Sequence, residues 1–74
     1  MVKVVYTDGS IELFNSNKQI IHEASHNLFK VEFKNHFVMI PDHAVRSIGV
    51  GHLETITLEK HGSATAVEEV FVYE

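Results

Sequence analysis

Apolar and polar residues alternate with a period of two along most of the chain, which is the pattern of half-buried β-strands. The first two alternating segments, residues 2–7 and 10–15, flank Asp8-Gly9, a dipeptide that favours a tight hairpin turn. We therefore predict a β-hairpin with a two-residue turn, in which Thr7 pairs with Ser10.

The same period predicts strands further along the chain, at residues 28–34, 37–40, 48–50, 53–60 and 65–73. The last two of these form a second hairpin about His61-Gly62-Ser63. Pro41 ends the strand before it, and residues 42–45 have the composition of one tight helical turn. Residues 19–27 are compatible with either a strand or a short helix, and propensity does not decide between them.

Two of the predicted segments are apolar on both faces. In the predicted register of the first hairpin, Val4 and Leu13 share one face, so Val5 and Phe14 point the other way. The C-terminal strand is likewise two-sided. Such strands need cover on both sides, and we expect a second copy of the chain to supply it. The predicted oligomer interface consists of Val5, Phe14, Val70, Phe71, Val72 and Tyr73.

Residues 37–48 run in the order apolar strand, proline, helical turn, valine and short apolar strand. This segment resembles the end of a small SH3-like barrel, and His43-Ala44-Val45 is similar to the His-Ala-Ile of the bacterial Sm-like RNA chaperones. The resemblance implies a fold rather than a function: Ala44 replaces the groove tyrosine of SH3 domains, and Asp42 replaces the lysine of the Sm-like family. We predict one all-β domain over residues 1–74, a small SH3-like barrel of about six strands with one short helical turn and a C-terminal hairpin.

Composition adds constraints on stability and on partners. The 74 residues include no cysteine, so disulfides and thiolate metal sites are excluded. A chain this short buries only about 60% of its unfolded surface, which also favours oligomerisation. Six Lys and Arg against ten Asp and Glu give a net charge of −4, which argues against nucleic-acid binding. With no long apolar run and no leader-like start, we expect a cytoplasmic protein that binds no membrane.

One motif has the form of a catalytic signature. The segment His22-Glu23-Ala24-Ser25-His26 matches H-E-x-x-H, which binds zinc when an α-helix brings both imidazoles to one face. A chain of this length has little room for the substrate cleft and the third metal ligand that a zinc hydrolase needs. We therefore expect no enzyme activity. His22 and His26 are either ligands of an incidental or oligomer-bridging metal ion or, as we favour, solvated surface residues.

A second pair of candidate residues lies in the predicted helical turn and just after it. His43 either caps the turn, which we favour, or contacts a ligand. Arg46, the only arginine, follows three residues later and would face the same way on a helical turn. A guanidinium suits carboxylate or phosphate ligands, and a surface ion pair with Asp42 is the favoured alternative.

Taken together, these patterns predict a small non-catalytic protein-binding module without a cofactor. We expect a homo-oligomer with a protein partner, such as an accessory protein of a phage or mobile element that inhibits or modulates a larger host protein. One alternative is a homo-oligomer that sequesters a small anion or a metal ion at its subunit boundaries through His43, Arg46 and other histidines. A second alternative is a zinc hydrolase acting through His22, Glu23 and His26.

Overall fold

The fold consists of β-strands and short 3-10 turns. A computed structural model describes residues 1–16, 19–59 and 65–74, and this part of the chain contains no α-helix. The all-β class is therefore confirmed. The strands are β1 (Val2–Tyr6), β2 (Ile11–Phe14), β3 (Ile20–Glu23), β4 (Leu28–Glu32), β5 (Phe37–Pro41), β6 (Val45–Glu59) and β7 (Thr65–Tyr73). The 3-10 turns are Ala24–His26 and Asp42–Ala44.

The strands form two separate antiparallel sheets. One sheet has four strands in the order β2-β1-β6-β7, and the other has three in the order β3-β4-β5. No strand of the described residues is hydrogen-bonded into both sheets, so the predicted barrel is not closed. The predicted turn after Pro41 is confirmed at Asp42–Ala44, where it carries the chain from β5 into β6. The resemblance to SH3-like and Sm-like barrels stays a prediction.

The core lies between the two sheets. Each sheet contributes two buried side chains, Val2 and Val4 from β1 and Val31 and Ile40 from β4 and β5. In each sheet the inward residues recur at every second position, as the period of two requires. Partly buried apolar side chains surround these four: Tyr6, Phe14, Ile20, Phe33, Val38, Val45, Ile48 and Val50.

The first hairpin forms where the sequence predicts it, but the predicted register is wrong by one residue. Val5 pairs with Ile11, and the loop contains three residues, closed by a bond from the Tyr6 amide to the Ser10 carbonyl (2.9 Å). Gly9 has a φ of 89°, which lets it accommodate the extra loop residue at little cost. The Ser10 amide and hydroxyl donate to Asp8 Oδ1 at 2.8 and 2.6 Å, and these bonds lower the pKa of the Asp8 carboxyl.

This change of register exchanges the two faces of β2. Phe14 lies opposite Val2 and packs in the core, with its ring edge-on to Phe33 at 6.2 Å. Ile11 and Leu13 point outward instead. The reason for placing Phe14 at an oligomer interface therefore no longer holds, because the side chain is covered within its own chain.

Strand β6 is longer than the sequence predicts. The predicted strand 48–50 and the described part of the predicted strand 53–60, as far as Glu59, belong to one continuous strand, whose first half pairs with β1 and whose second half pairs with β7. The predicted C-terminal hairpin is confirmed from Gly51–Tyr73 to Glu59–Thr65, and its predicted tip at His61-Gly62-Ser63 lies outside the described residues. The hairpin gives the molecule an elongated shape, 56 × 28 × 17 Å.

Residues 19–27 combine the two structures that the sequence leaves open. Ile20–Glu23 is strand β3, and Ala24–His26 is a 3-10 turn rather than an α-helix. Asn27 ends the turn with a φ of 55°, and its amide donates to the Ala24 carbonyl at 3.2 Å. Among the described residues, no helix is long and apolar enough to cross a membrane.

Candidate functional site

A shallow depression opens at one end of the three-stranded sheet, beside both 3-10 turns. Its volume is about 380 Å³. We call it the depression and define it by its lining residues: His26, Asn27, Leu28, Met39, Pro41 and His43. It contains one residue from each of the two candidate pairs, His26 and His43.

Strand pairing and a backbone bond bring these residues together. Leu28 pairs with Pro41 across β4 and β5, which places the end of the first 3-10 turn and the start of the second at the same end of the sheet. The Asp42 amide donates to the Asn27 carbonyl at 2.9 Å and ties the second turn to the end of the first. The left-handed conformation of Asn27 redirects the chain from the first turn into β4.

The depression has an apolar floor and a polar rim. Leu28, Met39 and Pro41 share the face of the sheet that points away from the core, and Met39 is 57% exposed. At the rim, His26 Nδ1 lies 3.4 Å from Glu23 Oε2. The His43 imidazole has no hydrogen bond or ion pair with any described residue, so the structure shows no capping bond from it to its own turn.

The H-E-x-x-H segment does not form the geometry of its signature. His22 lies on β3, opposite Phe29, with its ring stacked on the phenyl ring at 4.5 Å. Its Nε2 lies 3.1 Å from Asp42 Oδ2. His26 belongs to the 3-10 turn and lines the depression on the other side of the sheet. Within the described ranges, no group of three His, Cys, Asp or Glu side chains could hold a metal ion.

Arg46 does not line the depression with His43. Its Nη2 donates to the Thr7 carbonyl at 3.2 Å, while the Thr7 amide donates to the Ala44 carbonyl at 2.9 Å. Arg46 therefore helps hold the β1–β2 loop against the start of β6. The alternative ion pair between Arg46 and Asp42 is not found either, since the described partner of Asp42 is His22.

Sequence reasoning did not identify the apolar floor. Residues 37, 39 and 41 are apolar, as are residues 38 and 40 on the other face of β5. A strand that is apolar on both faces signals a surface that needs cover. The first and last strands are two-sided by the same criterion, apolar residues on both faces. Applied to β5, it identifies Phe37 and Met39, which are 52% and 57% exposed.

A second apolar surface covers the four-stranded sheet on the side away from the core. Among the described residues, eight large apolar side chains are at least 37% exposed, and five of them lie on this surface. We call it the outer face. Its apolar residues are Val5, Ile11, Leu13, Leu53, Val67, Phe71 and Tyr73. Of the predicted interface residues, Val5, Phe71 and Tyr73 lie here, whereas Val70 and Val72 lie on the opposite face of β7.

One cation lies at the centre of the outer face. The Lys3 ammonium is 5.6 Å from the ring centroid of Phe71 and 5.8 Å from that of Tyr73, and the two rings meet edge to face at 5.0 Å. These distances are in the range of cation–π attraction. The Tyr73 ring also lies over Gly49, where a Cβ would be 2.6 Å from the ring, so the glycine is required for this contact.

Comparison with known proteins assigns no family to this arrangement of sheets, depression and outer face. No family model, no curated protein and no solved structure matches the chain.

Proposed function

We propose that the protein is a non-catalytic binding module that holds an extended segment of another protein in the depression. The observation that supports this most strongly is the combination of an apolar floor, open to solvent, with the His43 imidazole, which has no bond to any described residue, on its rim. Binding sites of this kind use apolar walls for affinity and a few polar groups for orientation.

The depression specifies the chemistry of its occupant. A floor of Leu28, Met39 and Pro41 suits one large apolar side chain, and the volume of about 380 Å³ leaves room for it. The imidazole of His43 and the amide of Asn27 can pair with peptide groups on either side of that side chain. The occupant that fits is therefore a peptide segment with a large apolar residue.

The free edge of the three-stranded sheet favours an extended conformation of this segment. Strand β5 is the last in the order β3-β4-β5 and is paired with β4 alone among the described strands. Its other edge can accept a strand from a partner, in which backbone bonds give affinity and a side-chain pocket gives specificity. Pro41 has no N–H, so the pairing would end beside the depression.

Selection from a random-peptide phage library on the purified protein tests the proposal. Enriched peptides should share a large apolar residue, and Met39→Glu should weaken their binding at least about ten-fold, since it puts a charge on the apolar floor. The matched control is Ile11→Glu, which puts the same charge on an equally exposed residue of the outer face. Both variants alter only exposed side chains, and circular dichroism at the concentration of the binding measurement checks that both are folded.

Two outcomes would contradict the proposal: the library yields no enriched peptide, or the enriched peptides bind the Met39→Glu variant as well as they bind the wild type. Loss of peptide binding in the Ile11→Glu variant alone would move the site to the outer face.

Three features of the partner stay predictions: that it is larger than this chain, that it belongs to a host, and that it is inhibited or modulated by binding. The cytoplasmic location also stays a prediction. The alternative of a homo-oligomer that sequesters a small anion or metal ion at its subunit boundaries also stays a prediction.

A further inference from the structure

We infer that two copies of this chain pack outer face against outer face in a two-fold symmetric dimer, with Lys3 of each copy against Glu69 of the other. The inference does not rest on the proposed function, because the depression lies on the other sheet. It follows from the positions of apolar and charged side chains along one surface.

The strand registers fix these positions. Lys3 is level with Gly49 of β6, and Glu69 is level with Thr55. All four residues belong to the outer face, because pairing partners and alternate residues share a face. Six positions along β6 separate the backbone levels of Lys3 and Glu69, which corresponds to about 20 Å.

Two aromatic residues lie about midway between the backbone levels of Lys3 and Glu69, and the Lys3 ammonium rests against their rings. Tyr73 is level with Gly51, and Phe71 is level with Leu53. A two-fold axis lying in the interface at this midpoint packs the Phe71 and Tyr73 rings of one copy near those of the other. The same rotation places each Lys3 over Glu69 of the second copy, so the positive end of one face meets the negative end of the other.

The apolar residues beyond the charges follow the same symmetry. Val5 and Ile11 are level with Ser47, two positions beyond Lys3, and Val67 is level with Thr57, two positions beyond Glu69. The axis therefore brings Val67 toward Val5 and Ile11 of the second copy. Val67 is 65% exposed, the highest exposure of any large apolar side chain in the described residues. A face that is complementary to itself in both charge and apolarity fits a second copy of the chain.

The extent of the outer face can be compared with the size of a standard dimer interface. A standard interface buries about 800 Å² on each partner, roughly a seventh of the 5455 Å² surface of this chain. The outer face extends over four strands and continues along the β6–β7 hairpin. Its composition, mostly apolar with aromatic residues near the middle, is similar to that of the apolar core of known interfaces.

Sedimentation equilibrium of charge-swap variants tests the inference. The wild type should sediment at twice the 8.4 kDa chain mass. Lys3→Glu and Glu69→Lys should each raise the dimer dissociation constant at least about 100-fold, because each variant sets like charges opposite each other twice. An equimolar mixture of the two variants should dimerise again, since both contacts then pair opposite charges.

Glu68→Lys is the matched control. Glu68 neighbours Glu69 but is level with Ile56, on the opposite face of β7. The Glu68→Lys variant should dimerise like the wild type, and it should not rescue Lys3→Glu when the two are mixed. Leu53→Arg, at the centre of the outer face, should be monomeric alone and in every mixture. Circular dichroism confirms that each variant is folded.

The inference is overturned if the wild type remains a monomer at its highest soluble concentration. It is also overturned if the mixture of Lys3→Glu and Glu69→Lys stays monomeric while both variants are folded, or if Leu53→Arg leaves the dimer intact. Should Lys3→Glu fail to fold, Glu69→Lys and Leu53→Arg decide the matter alone, because both side chains are exposed on the hairpin.

Discussion

Tyr6 is the residue whose ionisation the fold changes most clearly. Its hydroxyl donates a hydrogen bond to Glu12 Oε1 across the first hairpin. Burial, this hydrogen bond and the charges of Glu12 and Asp8 raise the pKa of Tyr6 from 10.0 to about 12. Each of these effects favours the neutral phenol, so Tyr6 and Glu12 act as one hydrogen-bonded unit at the edge of the four-stranded sheet.

The sign of the pKa change predicts an alkaline limit to stability. Because the folded-state pKa lies above the unfolded value, the contribution of Tyr6 is fully present below pH 10.0 and is lost as the pH rises through about 12. Ultraviolet titration of Tyr73→Phe, which leaves Tyr6 as the only tyrosine, should show a midpoint near 12.

Adding Glu12→Gln to that variant is the control for the titration. The substitution removes the carboxylate, so the pKa of Tyr6 should fall, but it should stay above 10.0 because burial, the largest cause, remains. A midpoint near 10 in the presence of Glu12 would show that the phenol is neither buried nor bonded as described.

At the residue scale, the turns that depend on two or three consecutive residues could be predicted from the sequence. The Asp8-Gly9 turn and the helical turn after Pro41 form where the sequence places them. The number of residues in the first loop could not be predicted, because Gly9 is compatible with a two-residue and with a three-residue loop. Which loop forms depends on which face of β2 packs against the core. The grouping of His26 with His43 depends likewise on the pairing of β4 with β5, which local pattern does not reveal.

At the scale of elements, a register shift of one residue changes what β2 does. In the register expected from a two-residue turn, Leu13 faces inward and Phe14 outward. The structure has the reverse, with Leu13 47% exposed and Phe14 packed against Phe33. Alternation alone fixes the two faces of a strand relative to each other but leaves open which face is buried, because both faces of β2 carry apolar residues.

Two alanine substitutions measure this difference directly. Phe14→Ala should lower the free energy of unfolding by roughly 2–3 kcal/mol, since it leaves a cavity next to Phe33. Leu13→Ala should change it by less than about 1 kcal/mol at protein concentrations low enough for the outer face to be free. Urea denaturation of both variants provides the values. A larger loss for Leu13→Ala than for Phe14→Ala would restore the register expected from the sequence.

Strand β6 is a second case in which the residues of one segment do not determine the bounds of the strand. The sequence predicts two separate strands here, 48–50 and 53–60, whereas the structure has one strand that contains Gly49 and Gly51, although glycine weakens strand interiors. In the structure the strand continues through both, because the aromatic rings of β7 lie over them: a Cβ on Gly51 would be 2.7 Å from Phe71 Cε1. The glycines are thus sites of close packing between strands that are far apart in sequence, which a pattern within one segment cannot show.

At the scale of the whole molecule, the small core and the large apolar exterior belong together. Only four apolar side chains of the described residues are buried, whereas eight are at least 37% exposed. Burying a side chain of valine or isoleucine stabilises a fold by about 1.5–3 kcal/mol, so the chain gains little from its interior alone. Cover of the outer face by a second copy would supply the missing burial and leave both depressions on the outside of the dimer.

Stability should therefore depend on protein concentration. Dimerisation through the outer face stabilises the folded state by mass action, by about 1.4 kcal per mole of dimer, or about 0.7 kcal per mole of chain, for each tenfold rise above the dissociation constant. For a domain of this size, a change of that order raises Tm by several degrees. Thermal unfolding of the wild type at a series of concentrations should show this increase, whereas Lys3→Glu should unfold at one temperature throughout the series. A constant Tm for the wild type would mean that the four buried residues and their partly buried neighbours stabilise the chain on their own. A rising Tm in Lys3→Glu would locate the stabilising contact on another surface.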